Sequence, residues 1–307
     1  MRIIIIGGGG FLGSNLRRTL SQTEYETHSF DVVPATQHFP NVTDHVATDD
    51  AIYGDFLKPG DIVFYLRWVG VPADTVNDAA LSYELNVTAG IRFFEICQKC
   101  GVSSIIFASS GGAVYGRPKY LPIDEQHPIN PQSFYGAQKR NIEEYLELAS
   151  RKSGIRTLCL RISNPYGPGQ KPFRSQGVIA TFMAAALLKK PVTLRGDGSY
   201  TRDYIYIDDL MKYFLAAVTY KGEHHIINVG SGHATALSEI ADRIDAVTGT
   251  VLTRNYVPAA DTDVPASELD TTLCRQELGD FVTTSLTEGL TSMLRTWDAA
   301  SGTFLLS

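Results

Sequence analysis

Cysteine is scarce in this sequence, which contains four in 307 residues. Four cysteines in a chain of this length do not make the dense disulfide framework of a small secreted domain. Cys97 and Cys100 have C-x-x-C spacing, but they lie in a helical pattern with no second pair or histidine cluster nearby. We therefore interpret both as residues of a helix face and predict no metal or redox site.

Long apolar runs and an excess of positive charge are also missing. The longest apolar runs have the length of a strand, so the sequence predicts neither a membrane span nor a signal-peptide core. The net charge of −6 and the pI near 5.6 argue against binding to nucleic acid or to a membrane surface. With 44% hydrophobic and 20% charged residues, the composition is that of a globular protein of one or two domains, for which the cytoplasm is the default location.

Glycine, by contrast, is concentrated at the start, where four consecutive isoleucines precede four glycines in residues 3–10. The isoleucines predict a strand buried on both faces, and Phe11 begins a predicted helix. Gly7, Gly10 and Gly13 have the spacing G-x-x-G-x-x-G. They would allow a sharp turn, a close approach of backbone N–H groups to a pyrophosphate, and tight packing of helix on strand. The stretch predicts a nucleotide cofactor, although a purely structural glycine turn would show the same spacing.

An acidic residue, Asp31, stands about 20 residues beyond the glycine turn, at the end of a second short apolar run. We expect it to accept hydrogen bonds from an adenosine ribose. A carboxylate repels a 2′-phosphate, and no Arg or Lys follows before Pro34, so the sequence favours NAD over NADP. Asp49 and Asp50, after a candidate third strand at 46–47, could contact the adenine.

Strands and helices alternate along the next part of the chain. Apolar runs predict strands at 61–66, 103–108 and 157–162, and helical patterns cover 82–99 and 133–151. Such alternation predicts a parallel sheet with helices on both faces, with ligands at the carboxyl ends of the strands. We therefore predict an α/β protein: a Rossmann-like doubly wound parallel sheet with a smaller C-terminal substrate-binding α/β part.

Tyr135 and Lys139 lie four residues apart near the start of a predicted helix, so both side chains share one face. An ammonium and a nicotinamide cation would both favour the phenolate of a tyrosine whose ordinary pKa is about 10. A solvated lysine beside a half-buried tyrosine would show the same pattern. Because the pair follows a strand that ends in serines within a predicted NAD fold, we favour a general acid/base unit.

Six motifs in a fixed order resemble those of the NAD-dependent epimerase/dehydratase family, the extended short-chain dehydrogenase/reductase group. Within it the chain is most similar to the nucleotide-sugar 4-epimerases of the UDP-glucose type, and the resemblance covers nearly the whole chain. The motifs are Gly7-x-x-Gly10-x-x-Gly13, residues 109–116, Tyr135-x-x-x-Lys139, and residues 161–168, 202–209 and 228–232.

The resemblance implies an NAD-dependent epimerase that inverts C4 of a nucleotide-diphosphate sugar through a 4-keto intermediate, with a UDP-hexose or UDP-N-acetylhexosamine as the substrate. Tyr135 would be the base, and Lys139 would bind the nicotinamide ribose and lower the tyrosine pKa. The residues implied in cofactor binding are Gly7, Gly10, Phe11, Leu12, Gly13, Asp31, Leu66, Arg67 and Asn86, together with Tyr135 and Lys139.

Two residues would bind the substrate by the same resemblance. Asn164 would contact the sugar diphosphate and Arg202 its phosphates. Each has a structural alternative: Asn164 could form a turn before Pro165, and Arg202 could form a surface salt bridge with Asp203.

The chain departs from the family pattern at the proton relay. The family's Ser or Thr falls at Gly111, so the hydroxyl has to come from Ser110, which we expect, or from Ser109 or a water. Ala260 stands where the family has a second phosphate-binding Arg. The bulky Arg67 and Trp68 replace small residues after the fourth strand.

Three other functions stay open. A sugar dehydratase of this family needs acid/base side chains where this chain has Gly111 and Gly112. A nucleotide-sugar ketoreductase would use the same Tyr and Lys, but such enzymes often prefer NADP, against which Asp31 argues. A non-catalytic NAD-sensing protein would typically lack the Tyr/Lys pair.

The resemblance also implies a division into domains and an assembly. We expect an NAD-binding domain at 1–168 that also receives 203–230, and a smaller nucleotide-sugar-binding domain at 169–202 and 231–307. The helices at 82–99 and 133–151 match those that pair in family dimers, which implies a homodimer. Surface polysaccharide assembly would be the pathway.

Overall fold

The computed structural model of the chain describes residues 1–49, 51–70, 78–174, 176–259 and 264–306. The strands, in chain order, are β1 (Arg2–Ile6), β2 (Glu26–Asp31), β3 (Val42–Val46), β4 (Ile62–Tyr65), β5 (Ser104–Ser110), β6 (Arg156–Ile162), β7 (Asn164–Tyr166), β8 (Val192–Arg195), β9 (Thr201–Tyr206), β10 (Ile226–Val229), β11 (Ala234–Ala236), β12 (Arg254–Val257), β13 (Ala266–Ser267), β14 (Trp297–Asp298) and β15 (Thr303–Phe304).

The α-helices are α1 (Phe11–Leu20), α2 (Ala51–Phe56), α3 (Ala79–Tyr83), α4 (Ala89–Lys99), α5 (Phe134–Ser153), α6 (Val178–Leu187), α7 (Ile207–Val218), α8 (Leu237–Thr248), α9 (Thr272–Leu278) and α10 (Leu286–Leu294), and a π-helical turn (Glu84–Thr88) joins α3 to α4.

Seven strands form one parallel sheet in the order β3-β2-β1-β4-β5-β6-β10. The chain runs outward from β1 in one direction and then returns to build the other side from β4. The carboxyl ends of β1 and β4 therefore flank the point where the order reverses, which is where such sheets bind ligands. This architecture confirms the predicted doubly wound α/β fold.

The isoleucines of β1 show why this strand occupies the centre of the sheet. Ile3 and Ile5 belong to one buried cluster, with α1, α6 and α7, whereas Ile4 and Ile6 belong to another, with α2, α4 and α5. All four side chains are at most 1% exposed. Because successive side chains of a strand point to opposite faces, an unbroken apolar run fits only a strand that is covered on both faces.

The smaller sheets lie towards the C-terminus. One has the order β11-β9-β13, with β7 also paired to β9, and two-stranded pairs form between β8 and β12 and between β14 and β15. The first of these sheets is mixed, since β11 runs antiparallel to β9 while β7 and β13 run parallel to it. The chain thus has the predicted smaller C-terminal part with sheets of its own.

Several element bounds differ from the sequence prediction. The predicted helix at 82–99 is α3, the π-helical turn and α4, and the third strand, predicted at 46–47, is β3 at Val42–Val46. Strand β2 consists largely of polar residues, with only Phe30 fully buried among them as a large apolar side chain. Strand β2 lies next to the edge strand β3. This position explains the difference, because a strand near the edge of a sheet does not need a continuous apolar run.

Candidate active site

The glycine turn after β1 lies at the reversal point of the sheet. A Cβ on Gly7, whose φ is +92°, would lie 2.7 Å from the backbone N of Arg67, and a Cβ on Gly13 would lie 2.2 Å from the carbonyl O of Gly7. These close approaches require glycine. Gly10 caps α1 without a side-chain hydrogen bond, and the first turn of α1 has no acidic residue. The helix N-terminus therefore suits the pyrophosphate of a dinucleotide.

Asp31 ends β2 beside this turn. Its Oδ2 accepts a hydrogen bond from the N–H of Gly9 at 2.8 Å, and its Oδ1 accepts one from the N–H of Val32 at 2.8 Å. The carboxylate is thus fixed next to the glycines by the backbone. Each oxygen can still accept another bond, which suits the two hydroxyls of an adenosine ribose. These residues fit NAD.

Asn86, in the π-helical turn, holds the loop after β4. Its side chain accepts a hydrogen bond from the N–H of Val69 at 2.7 Å and donates to the carbonyl oxygens of Val69 and Ser82, both at 3.0 Å. The side chain is 2% exposed. Asn86 therefore fixes the wall of the site through the loop, and a contact of its own with the cofactor stays a prediction.

The start of α5 positions the Tyr/Lys pair. The Ser133 hydroxyl accepts a hydrogen bond from the N–H of Gly136 at 3.1 Å, which caps the helix. A Cβ on Gly136 would lie 2.4 Å from the carbonyl O of Ala113, so the helix packs directly on the turn that follows β5. Lys139 donates to the carbonyl O of Ala108 at 2.7 Å. The Tyr135 phenol forms a hydrogen bond with the Ser110 hydroxyl.

Burial shifts the pKa of both members of the pair. It raises the pKa of Tyr135 to about 12, against the opposing effect of the Ser110 hydrogen bond. It lowers the pKa of Lys139 to about 7, against the opposing charge of Glu143. Each shift favours the neutral form, as expected when a group loses water. The sequence analysis expected Lys139 to lower the pKa of Tyr135. In the protein without cofactor, burial raises this pKa instead.

Gly111 lies against Leu269, which explains the missing hydroxyl at this position. A Cβ on Gly111 would lie 2.6 Å from Cδ1 of Leu269 and 3.1 Å from the carbonyl O of Arg161. A serine or threonine would therefore require the backbone or Leu269 to move. Ser110, one residue earlier, faces the same cavity as Tyr135.

Trp68 covers the ammonium of the pair. The Nζ of Lys139 lies 3.8 Å from the centroid of the Trp68 ring and 4.7 Å from that of Phe107. The Trp68 and Tyr135 rings meet edge to face with centroids 5.4 Å apart. The bulky residue after β4 thus touches both members of the pair.

A buried polar network lies behind the pair, and the sequence analysis did not identify it. Glu143 accepts hydrogen bonds from Nε and Nη2 of Arg161 at 3.0 and 2.7 Å and from the Ser109 hydroxyl at 2.5 Å. Arg161 also donates to the Tyr115 hydroxyl at 2.9 Å, which in turn donates to Asn228 at 2.7 Å. The only signal in the sequence was the position of Glu143, one helical turn after Lys139.

The cavity has a volume of about 820 Å³ and extends from the glycine turn to β8 and β9. The predicted site residues that line it are Gly7, Gly10, Phe11, Leu12, Gly13, Leu66, Ser110, Tyr135, Lys139, Asn164 and Arg202. Trp68, Arg174 and Arg195, which were not predicted as site residues, line it as well.

The two predicted substrate residues occupy the far end of this cavity. Asn164 donates to the carbonyl O of Asp203 at 2.9 Å, and Arg202 donates to the carbonyl O of Thr201 at 2.8 Å. The Asp203 carboxylate accepts hydrogen bonds from the backbone N–H groups of Ser231 and Gly232 at 2.8 and 3.1 Å. Asp50 and Ala260, which the sequence analysis singled out, lie outside the described residues.

The described residues contain no helix long and apolar enough to cross a membrane. Over the same ranges, no group of three His, Cys, Asp or Glu side chains is arranged to hold a metal ion. Cys97 is buried in α4, where burial raises the pKa of its thiol, and Cys100 follows that helix.

Comparisons with known proteins agree with this geometry. The model of the NAD dependent epimerase/dehydratase family matches residues 3–230. The UDP-glucose 4-epimerase of Mycolicibacterium smegmatis is 30% identical over 302 residues, which cover 94% of this chain and 96% of that protein. The dTDP-4-dehydro-6-deoxyglucose reductase of Escherichia coli is 28% identical over 305 residues, which cover 95% of this chain and 96% of that protein.

Among solved structures, the UDP-glucose 4-epimerase of Thermotoga maritima, determined with UDP-glucose, is 31% identical. Its structure and this one align with a TM-score of 0.90 over 96% of this chain and 98% of that chain. The likeness therefore includes the smaller C-terminal part as well as the large sheet.

Proposed function

The chain belongs to the NAD-dependent epimerase/dehydratase family, and from that premise we propose that it is an NAD-dependent epimerase of a nucleotide sugar, which inverts C4 through a 4-keto intermediate. The main observation behind the proposal is that two groups of residues line one cavity. The glycine turn, beside Asp31, suits NAD, and Tyr135, Ser110 and Lys139 line the same cavity near the carboxyl end of β5.

Tyr135 is the residue that we assign to proton transfer. Its phenolate would take the proton of the C4 hydroxyl and return it after the sugar has turned, and Ser110 would relay that proton through its hydrogen bond to the phenol. Lys139, held on the Ala108 carbonyl, would bind the nicotinamide ribose. Bound NAD supplies the acceptance and return of the hydride.

We assign the substrate to the end of the cavity that holds Asn164 and Arg202. Arg174 and Arg195 also line the cavity, so the described residues offer three guanidinium groups for a diphosphate. This supports a nucleotide-diphosphate sugar, and the two UDP-glucose 4-epimerases named above support a UDP-hexose. A UDP-N-acetylhexosamine is the other substrate that we propose. The division into an NAD-binding domain at 1–168 with 203–230 and a sugar-nucleotide-binding domain at 169–202 with 231–307 belongs to the same proposal.

A nucleotide-sugar ketoreductase is the second candidate. It is favoured by the likeness to the Escherichia coli reductase over nearly the whole chain. A reductase consumes one reduced cofactor per product, whereas an epimerase returns its cofactor unchanged. The two functions therefore differ in stoichiometry.

The test is to incubate the purified protein with catalytic NAD and a panel of UDP-, GDP- and dTDP-sugars, and to identify the products by NMR. A sugar inverted at C4, formed without net NADH, supports the proposal and identifies the substrate. Consumption of stoichiometric NADH or NADPH with a 4-keto sugar, and no inversion of any panel member, would establish the reductase.

The proposal also includes a homodimer. It would be located in the cytoplasm and would take part in surface polysaccharide assembly. Phe134 and Leu148 of α5 are 53% and 55% exposed, and the proposal places α5 in the dimer interface. Sedimentation equilibrium should give a dimer for the wild type and a monomer for Leu148→Asp. A wild type that is monomeric at micromolar concentration contradicts the dimer.

A further inference from the structure

Trp68 touches both Tyr135 and Lys139, and neither the sequence motifs nor the proposed function gives it a role. Its ring face lies over the Nζ of Lys139 at 3.8 Å, and its ring meets that of Tyr135 edge to face with centroids 5.4 Å apart. Lys139 is 4% exposed. The indole therefore lies directly on a buried cation and against its catalytic partner.

The buried ammonium has few other attractions. The described residues give it one hydrogen-bond acceptor, the carbonyl O of Ala108 at 2.7 Å. The Glu143 carboxylate, one helical turn on, is already bound by Arg161 and Ser109. A cation over the face of a tryptophan gains most when it is desolvated, so the indole is a further partner for this charge, beside the Ala108 carbonyl and the nearby Glu143 carboxylate.

The indole is held in place by these ring contacts and not by a hydrogen bond of its own. Its Nε1 is buried and has no hydrogen-bond partner in the part of the chain that the structure describes. Leaving a buried donor unpaired is unfavourable. The packing of the ring against the core cluster around Phe107, together with its contacts with Lys139 and Tyr135, offsets that loss.

We propose that Trp68 is a positioning residue of the epimerase site, whose indole face holds the Lys139 ammonium in place beside Tyr135. The inference rests on the proposed function. The face of the ring stabilises the charged form of Lys139 and opposes the effect of burial. The titratable groups that face this ammonium are Tyr135 and Glu143 from α5 and Cys159 from β6.

A matched pair of variants tests the aromatic face, because Trp68→Phe and Trp68→Leu are both apolar but only phenylalanine keeps a π-face. We expect Trp68→Phe to stay within about threefold of the wild-type kcat, and Trp68→Leu to lose about tenfold with little change in KM. Loss of the π-face lowers the pKa of Lys139, so the basic limb of the kcat profile of Trp68→Leu should move about one pH unit lower. Equal activity and equal pH profiles in the two variants would overturn the proposal.

A second measurement needs no epimerase activity and no change at position 68. The chain has two tryptophans, and Trp297 lies outside the cavity, against Phe304. In Trp297→Phe protein the emission comes from Trp68 alone. It should shift with a midpoint near pH 7 as Lys139 loses its charge, since burial lowers that pKa to about 7. The shift should vanish in Trp297→Phe/Lys139→Met protein.

The two measurements separate the two claims. If the wild type inverts no nucleotide sugar, the proposed function fails, while the emission titration still tests the contact between Trp68 and Lys139. If the wild type is an epimerase but the titration is unchanged by Lys139→Met, the assignment of Trp68 is wrong and the function stands.

Discussion

Tyr135 combines a buried phenol, whose pKa burial raises to about 12, with a hydrogen bond to Ser110. Removing its hydroxyl removes the group to which we assign proton transfer and leaves the shape of the cavity nearly unchanged. We expect Tyr135→Phe to lower kcat by about 10²- to 10⁴-fold, the usual contribution of a general acid/base, while calorimetry shows unchanged affinity for NAD.

Tyr145→Phe provides the matched control, because Tyr145 lies on the same helix and stacks on Phe94, and it is not among the described residues that line the cavity. Its activity should equal that of the wild type. A Tyr135→Phe protein with near-normal kcat would contradict the assignment of proton transfer to this residue.

Lys139 gives a prediction on stability and pH. Burial lowers its pKa to about 7, whereas an unfolded lysine has a pKa of about 10.4. Between these values the unfolded chain binds more protons than the folded one, so this group makes the wild type less stable as the pH falls, and the penalty is complete below about pH 7. Lys139→Met removes the penalty. The free energy of unfolding of the variant minus that of the wild type should therefore rise by about 2 kcal/mol from pH 9 to pH 7.

Urea unfolding of the wild type and Lys139→Met at both pH values measures this difference. The hydrogen bond to Ala108 is lost at both, so it cancels when the two pH values are compared. A stability difference that is the same at pH 9 and pH 7 contradicts the lowered pKa. The variant should also be inactive.

Single positions show which features of the site could be predicted from the sequence and which could not. The glycines of the first turn have a strict geometric requirement, so their spacing was informative. The glycine at position 111 was recognised as a departure, but its cause is the distant Leu269, which no local pattern reveals. Trp68 was noted for its bulk, and only the fold shows that the bulk lies on Lys139.

At the scale of elements, α5 is tied to β5 and β6 by the buried pair of Glu143 and Arg161. Both residues are 1% exposed. Removing one partner leaves the other charged and buried, so Glu143→Leu should lower the free energy of unfolding by about 3–5 kcal/mol. The double variant Glu143→Leu/Arg161→Met leaves no unpaired charge and should lose less than the sum of the two single changes.

A double-mutant cycle by urea unfolding checks this prediction. Additive losses would mean that the two side chains contribute independently, against the paired geometry that the structure shows. The network also includes Ser109 next to Ser110, the residue proposed as the proton relay, so the same variants should lower kcat through the position of β5.

Element bounds were predicted best where the core imposes a periodic pattern. The long helix α5 and the central strands have one apolar face or an unbroken apolar run. Strand β3, at the edge of the sheet, has no fully buried position, so its limits were misjudged. The spacing of apolar residues did not predict the π-helical turn between α3 and α4, because the turn distorts the helix locally without changing which residues are apolar.

For the whole molecule, the predictions of family, fold class, enzyme class and NAD as cofactor are confirmed. They were accessible because strand–helix alternation and a glycine turn are local features of the sequence. The smaller C-terminal part was predicted only in outline. Its mixed sheet pairs β7, β9, β11 and β13, which are far apart in the chain, and such pairing has no local signature.

The central claim is that one hydride leaves C4 of the sugar and returns to the same carbon. It is tested most directly with UDP-glucose that carries deuterium at C4, incubated with the protein and catalytic NAD. The account predicts UDP-galactose that retains deuterium at C4, with no accumulation of reduced cofactor. Loss of the deuterium from C4 of the inverted sugar, or its transfer to a stoichiometric amount of reduced cofactor, would contradict it.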